Sequence, residues 1–306
     1  MTHFAIGVDL SKDWIDIYHP LTGAARLRNC EAELRPWLQT LPREAQLVFE
    51  ATSLSDDLIL RLASARGQPF HRLNPLHGWH FGRSLNLPKT DRVDARMLAR
   101  IGAERVLPQS PLFNPATARL AELSGRRDQL KRMETQEKNR LAKARCGFLR
   151  EDIAASLEAL AQRCRRVAQE IDRHIAAHPE LARKAGLLQS IPGIGQVTAT
   201  VLLAHLQELG GLDRRAAASL AGLAPRARES GKWRGHRHTG QGRRPVRRAL
   251  YMAALIAMRP GTAFSGQVDR LRDKGKAGKV IAIAIARKLI TIANAVLRDE
   301  QPFRAC

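Results

Sequence analysis

Two periodicities divide the chain. Up to about residue 105, apolar positions come in short runs or alternate with polar ones; beyond it they recur every three or four residues. The run His3–Val8 (HFAIGV) stops at Asp9 and predicts a buried strand with a carboxylate at its C-terminal end. Trp14–Tyr18 (WIDIY) alternates, which predicts a second strand after a tight turn at Ser11-Lys12-Asp13. Residues 25–29 predict a third strand and Glu31–Leu41 a short helix. Gln46–Phe49 (QLVF) reads as another strand, and it too ends on an acid, Glu50. Thr52 or Ser53 is the expected cap of a helix over Leu54–Ala65, and Pro69–Leu73 reads as a further strand. In NLPKTDRVDARMLARIG, Pro88 and Thr90 are start signals for a helix whose apolar positions are Val93, Met97, Leu98 and Ile101. Pro108, Pro111 and Pro115 end that region, so residues 1–110 form an α/β domain with a mixed sheet.

From Ala116 to Lys184 the period is helical and glycine and proline are scarce. Leu120, Leu123, Leu130, Met133, Leu141 and Phe148 make one apolar stripe; Leu157, Leu160, Val167, Ile171 and Ile175 make another. Residues 111–185 therefore predict a helical spacer, an antiparallel hairpin or coiled coil that reverses near Gly147–Asp152. Packing within one chain and pairing between chains both satisfy the stripes, and dimerisation is the expectation. Residues 186–306 are mainly α. Leu187–Leu206 reads helix, Pro-Gly-Ile-Gly, helix, like a helix–hairpin–helix element; a plain joint between two helices is the alternative. Ala277–Leu297 is apolar around much of its circumference and predicts a core helix, with Arg287 and Lys288 arguing against a membrane span. The tail after Pro302 is expected to fray.

Charge changes this picture. The net charge is +22, yet the first 105 residues hold 14 Lys/Arg and 12 Asp/Glu, so the excess falls on the remainder. Such a surplus implies a polyanionic partner, nucleic acid first. Residues 214–248 concentrate it, with eleven Lys/Arg against the single acid Glu229. Gly231, Gly235, Gly240 and Gly242 make this segment a loop or short ribbon on which Lys232, Arg234, Arg237, Arg243 and Arg244 can follow a sugar–phosphate backbone. Trp233 suits base stacking or core cover. Gly193 and Gly195 permit a tight turn and close approach to a phosphate at the start of the next helix. Cys30, Cys146, Cys164 and Cys306 are too far apart for a zinc or disulfide framework. With acids interrupting any early apolar run, a cytoplasmic protein without a signal peptide is expected.

Asp91 and Asp94, three apart, share one face of their helix. Alone, such a pair is a solvated charged face as readily as a site. Asp9 and Glu50 at two strand ends alter the balance, because strand ends at one edge of a sheet open into a shared crevice. Four acids converging there repel each other unless cations sit between them. Two ions about 4 Å apart are the usual arrangement for phosphoryl displacement.

The segments GVDLSKD, VFEAT and PKTDRVDA resemble the RuvC-like, RNase H-fold domain of the DEDD transposases of bacterial insertion sequences, a group related to the Piv-type DNA invertases. The resemblance implies that Asp9, Glu50, Asp91 and Asp94 bind Mg²⁺, as a two-metal site that Mn²⁺ can also fill. It implies a coiled-coil spacer that helps assemble protomers, and a second domain whose basic loop carries an essential serine in an S-G motif after P-R. Pro225-Arg226 followed by Ser230-Gly231 fits that motif. From residues alone Ser230 is a phosphate hydrogen-bond donor; the resemblance makes it a nucleophile. His236 and His238 nearby suit phosphate contact or proton transfer.

The resemblance further implies donor and target DNA as substrates, a bridge RNA that base-pairs with both, and a dimer or tetramer. Two other readings compete. One is a junction-resolving metal nuclease that cuts with water. The other is a non-catalytic nucleic-acid-binding protein with structural acids. A sugar-kinase-like ATPase is disfavoured, since GVDLS has no second glycine-rich phosphate segment to match it.

Overall fold

The first unit of the chain is built on a five-stranded sheet in the order β3-β2-β1-β4-β5. Its strands are β1 (Ala5–Leu10), β2 (Trp14–His19), β3 (Gly23–Arg28), β4 (Gln46–Glu50) and β5 (Phe70–Leu73). β1, β2 and β3 pair antiparallel as a meander, while β1–β4 and β4–β5 are parallel. The structure is a computed structural model that describes residues 5–51, 55–84, 91–226, 229–230, 233–234 and 238–304; it describes only the backbone of 91–93, 226, 229, 230, 233 and 234. Contacts within the chain separate Met1–Phe113 from Asn114–Cys306.

Alternation along the strands sorts their side chains between two layers. Ile6, Val8, Leu10, Ile15, Ile17, Leu47 and Phe49 form one core with α1 (Glu31–Thr40) and α2 (Asp57–Arg66). Ala5 and Val48 face the other way, packing with Met97, Leu98 and Ile101 of α4 (Asp91–Glu104). A further helix, α3 (Pro75–Ser84), precedes α4 and was not expected from the sequence. Its Gly78 and Gly82 obscure the helical period of PLHGWHFG. The proposed caps Thr52 and Ser53, the start signals Pro88 and Thr90, and Lys89 lie outside the described residues. At the start of α2, buried Asp56 holds Arg72 at 2.6 Å. Burial pushes its carboxyl above the ordinary range despite that guanidinium.

The second unit is helical. α5 (Pro115–Leu141) and α6 (Gly147–Ala176) run back along each other, so the reversal falls at residues 142–146, just before the expected Gly147–Asp152. Gly147 opens the second helix rather than closing the first. No side chain from 131 to 163 is buried, so the far end of this hairpin rests on nothing else in the unit. The near end joins a core with α7 (Pro179–Gln189), α8 (Gln196–His205), α9 (Arg214–Leu220), α10 (Arg244–Ala257), α11 (Ser265–Asp273) and α12 (Gly278–Asp299). Four two-residue strands, β6 (Pro225–Arg226), β7 (Glu229–Ser230), β8 (Trp233–Arg234) and β9 (His238–Thr239), lie between α9 and α10.

Among the described helices α12 alone is long and apolar enough to cross a membrane by composition. Ile281, Ile285, Leu289 and Ile290 bury one face of it in the core. Its buried Asn294 accepts from Gly210 N–H at 2.8 Å and donates to the Leu212 carbonyl at 2.7 Å. The tail does not fray at once after Pro302. Phe303 N–H donates to Ser190 Oγ at 2.8 Å, and its ring stacks on Phe264.

Candidate metal centre and nucleic-acid interface

Glycine sets the distance between α4 and the sheet. A Cβ on Gly7 would lie 1.9 Å from the Ala95 carbonyl oxygen and 2.5 Å from Ala99 N. A Cβ on Gly102 would lie 2.4 Å from Ala5 Cβ and 2.9 Å from Val48 Cγ2. The helix backbone therefore rests directly on β1. The helix and strand run in opposite senses, since Gly102 meets Ala5 and the 95–99 turn meets Gly7. Four helical residues rise about 6 Å and two strand residues about 6.6 Å, so the two ladders keep step. Carried one step further, they bring Asp94 to the level of Asp9.

Glu50 reaches the same end by strand register. Gly7 pairs with Val48 and Val8 with Phe49 across the parallel β1–β4 ladder, so the following residues, Asp9 and Glu50, stand side by side. Both share the sheet face of Gly7 and Val48, the face that α4 covers. Gly78 of α3 leaves room for the acid, since a Cβ there would lie 2.1 Å from Glu50 Oε1. Asp9, Glu50 and Asp94 are each half-buried. Asp91 is the first residue of α4, one turn before Asp94, and only its backbone is described.

Among the described residues no three His, Cys, Asp or Glu side chains already stand together as an ion cage. The donor set nonetheless fits a hard cation, because it offers carboxylate oxygens only, and the fourth acid falls outside the side chains described.

One acid was missed. Asp16 stands opposite Asp9 in the β1–β2 ladder, is 6% exposed, and faces Arg26 at 3.6 Å. Read as the outward polar position of WIDIY, it passed unnoticed. The signal was the three-residue turn: Ser11 N–H donates to the Trp14 carbonyl at 2.9 Å, which aligns Asp16 with Asp9. Trp14 lies on the same face under the guanidinium groups of Arg26 and Arg28, 5.4 and 5.7 Å from its ring centre.

In the second unit the Pro-Gly-Ile-Gly segment joins α7 to α8. Gly193 has φ +91°, and a Cβ there would lie 2.7 Å from the Ala253 carbonyl oxygen of α10. Its missing side chain is thus filled by a helix of the same unit. Gly195, the N-cap of α8, has open space around it. The two glycines should therefore behave differently. Gly193→Ala is expected to cost the second unit roughly 2–4 kcal/mol, from a strained φ plus overpacking. Gly195→Ala should melt within about 1 kcal/mol of the parent. Denaturant titration of both proteins checks this. If Gly195 approaches a phosphate, only the Gly195 variant loses nucleic-acid affinity while remaining folded.

The basic segment is a ribbon. Pro225 and Arg226 pair with Thr239 and His238, and further along Glu229 and Ser230 pair with Arg234 and Trp233. Ser230 thus sits in the last described pair, with only Gly231 and Lys232 between it and Trp233 in sequence. Lys232, His236 and Arg237 lie outside the described residues, and Arg234 is described as backbone within β8. His238 is exposed in β9.

Arg243 has partners within its own unit. Its guanidinium holds both oxygens of Glu208, at 2.5 and 2.6 Å, and donates to the His205 carbonyl at 2.9 Å. It clamps the end of α8 to the start of α10. Beside it, burial and then the Arg243 charge hold the His205 imidazole below its ordinary pKa. Arg244 is exposed in the first turn of α10. Arg247 caps the Gln241 carbonyl at 2.6 Å, and Arg248 pairs with Asp128 of α5.

Comparison with known proteins matches both units. A family model described as the DEDD transposase of the IS110 type matches residues 6–144, and one described as the transposase IS116/IS110/IS902 family matches residues 185–269. The chain is 31% identical to the pilin gene-inverting protein of Moraxella bovis over 99% of its own length and 98% of that protein. It is equally similar, at 31% over the same shares, to the protein of that name from Moraxella lacunata. An insertion element IS110 protein of 43.6 kDa from Streptomyces coelicolor is 33% identical over 48% of this chain and 36% of that protein.

Proposed function

From the premise that the chain belongs to the IS110/IS116/IS902 family of DEDD transposases, whose first domain implies an RNase H-like fold and dependence on a divalent metal, we propose how it cuts and rejoins DNA. Asp9, Glu50, Asp91 and Asp94 would hold Mg²⁺, which would supply positive charge beside the scissile phosphate and the leaving oxygen. The supporting observation is the register that brings Asp9, Glu50 and the first turn of α4 to one end of one sheet face.

Ser230 is the nucleophile. Its oxygen attacks phosphorus, the bond from phosphorus to the leaving 3′ oxygen breaks, and that oxygen takes up a proton. The strand is left joined to the protein through a phosphoserine. A 3′-hydroxyl of the partner DNA then attacks the same phosphorus, and the serine oxygen leaves and regains its proton. Each step exchanges one phosphodiester for another, so no external energy source is needed.

Specificity comes from an element-encoded bridge RNA that pairs with donor and target DNA, and the basic second unit grips both backbones. The Pro-Gly-Ile-Gly joint serves as a helix–hairpin–helix contact to phosphate. The α5–α6 hairpin assembles protomers as a coiled coil into a dimer or tetramer. That role is supported by its unburied outer half, where Met133, Phe148 and Leu149 are exposed. Asp94 and Ser230 are 136 positions apart with this hairpin between them, which leaves room for acids and serine of different protomers to complete one site. The protein works in the cytoplasm.

A trapping assay tests the reading. Protein, Mg²⁺, the element's flanking DNA and co-purifying RNA are mixed, quenched in denaturant and examined for protein covalently joined to labelled DNA. An adduct is expected from the parent and from neither Ser230→Ala nor Asp91→Ala. Cleavage by Ser230→Ala without any adduct would overturn the serine step and leave a nuclease that uses water.

A further inference from the structure

Between α9, α11 and α12 lies a cleft of about 250 Å³ whose charge is one-sided. Arg287 and Lys288 of α12 and Arg214 of α9 line it, with Gln267 of α11 and Thr291 between them. Among the described residues no carboxylate lines it. Residues 284, 287, 288 and 291 follow the i, i+3, i+4, i+7 spacing, so one stripe of α12 forms the floor. Ala218 and Ala284 are the small residues that leave the space.

α12 is the apolar core helix, and two adjacent cations in its middle need a reason. Arg287 is half-buried, and its Nε is fully buried with no hydrogen-bond partner. Among the described residues, Arg287, Lys288 and Arg214 take part in no ion pair, whereas Arg243 and Arg248 of the same unit are both engaged by acids. A buried donor without an acceptor is costly, and three like charges around one space add to the cost. An anionic oxygen placed there would lie among all three cations. Arg offers the planar fork that suits phosphate oxygens, and Lys a point charge beside it. Lys288 and Arg214 are exposed, so the cleft opens to solvent and admits a phosphate that remains part of a chain.

We propose that this cleft seats a backbone phosphate of nucleic acid, a contact separate from the ribbon of Ser230. The inference rests on the nucleic-acid reading of the protein given above. The test uses Lys288→Met and Arg214→Met, which remove exposed charge and keep the stem. Arg259→Met, an exposed cation outside the cleft, is the control. The probes are a fluorescein-labelled duplex carrying the element's terminal sequence and a single-stranded RNA of equal length. Each is also made with one methylphosphonate at successive positions.

At one position the neutral linkage should weaken binding of the parent about tenfold, the loss of a charge-assisted contact. The same linkage should cost Lys288→Met and Arg214→Met little more, while Arg259→Met keeps the full penalty. The slope of log affinity against log salt should also fall in the cleft variants by about 0.9 on the duplex or about 0.7 on RNA. Which probe shows the coupling identifies the strand that is held. Coupling at no position, or cleft variants that behave like Arg259→Met, would overturn the cleft and leave the parent reading intact. Failure of the parent protein to bind either probe would instead remove that reading.

Discussion

Asp9→Asn or Asp94→Asn should lower the rate of DNA strand cleavage by roughly 10³-fold or more, equivalent to about 4 kcal/mol in the barrier. Asparagine keeps the shape of the side chain and removes its charge, so the loss reports electrostatics rather than packing. Asp9 faces Asp16 across the ladder and Glu50 beside it, and like charges directly opposite are destabilising. Melts without divalent metal give the baseline for parent and variants. With Mg²⁺ the parent should rise, as binding to the native state alone requires, and the variants should rise less. Thermal melts with and without Mg²⁺, alongside single-turnover cleavage, check both parts. Variants that cleave at the parent rate would remove these acids from the chemistry.

Gly7→Val should unfold or nearly unfold the first unit, with a loss of about 4 kcal/mol or more. The atoms that meet a new Cβ are the Ala95 oxygen at 1.9 Å and the Ala99 nitrogen at 2.5 Å, both backbone atoms inside a helix. Neither can swing aside, so α4 must lift as a body from β1. Lifting it opens the cluster of Ala5, Val48, Met97, Leu98 and Ile101 and separates Asp94 from Asp9. Gly7→Ala should show the same defect in milder form. Gly125→Ala on α5, where a Cβ meets nothing within 4 Å, should be neutral or slightly stabilising. Denaturant titrations of the three variants suffice. A Gly7→Val protein with parent stability would contradict the close helix–strand contact.

Much of the first unit was legible because its strands are short and its two central apolar runs, β1 and β4, each reach an acid at or next to the strand end. HFAIGV and QLVF stop at Asp9 and Glu50 with nothing else to explain the change. The unexpected α3 was hidden by Gly78 and Gly82. Locally these glycines weaken a helix; in three dimensions they make room for Glu50 and for Met97 Sδ. Asp16 was hidden by the opposite effect, since alternation alone marks a polar strand residue as outward. It is buried because α4 covers that face of the sheet as a second layer.

In the second unit, composition identified a basic surface but could not divide its cations by task. Arg243 has the same local context as Arg244, yet a glutamate 35 positions earlier engages it. That partner is visible only after α8 and α10 pack. Gly193 and Gly195 look equivalent in sequence, and only packing against α10 separates them.

The ribbon has a consequence of its own. From the Arg226–His238 pair to the Glu229–Arg234 pair the numbering advances by three on one side and falls by four on the other. The inner ladder is therefore one residue out of step with the outer. Strand side chains alternate, so a shift of one residue moves every side chain to the opposite surface, and a shift of two restores it. Such a ribbon tells odd from even. An insertion of two residues in one strand would preserve this parity at Ser230, whereas a single inserted residue would reverse it.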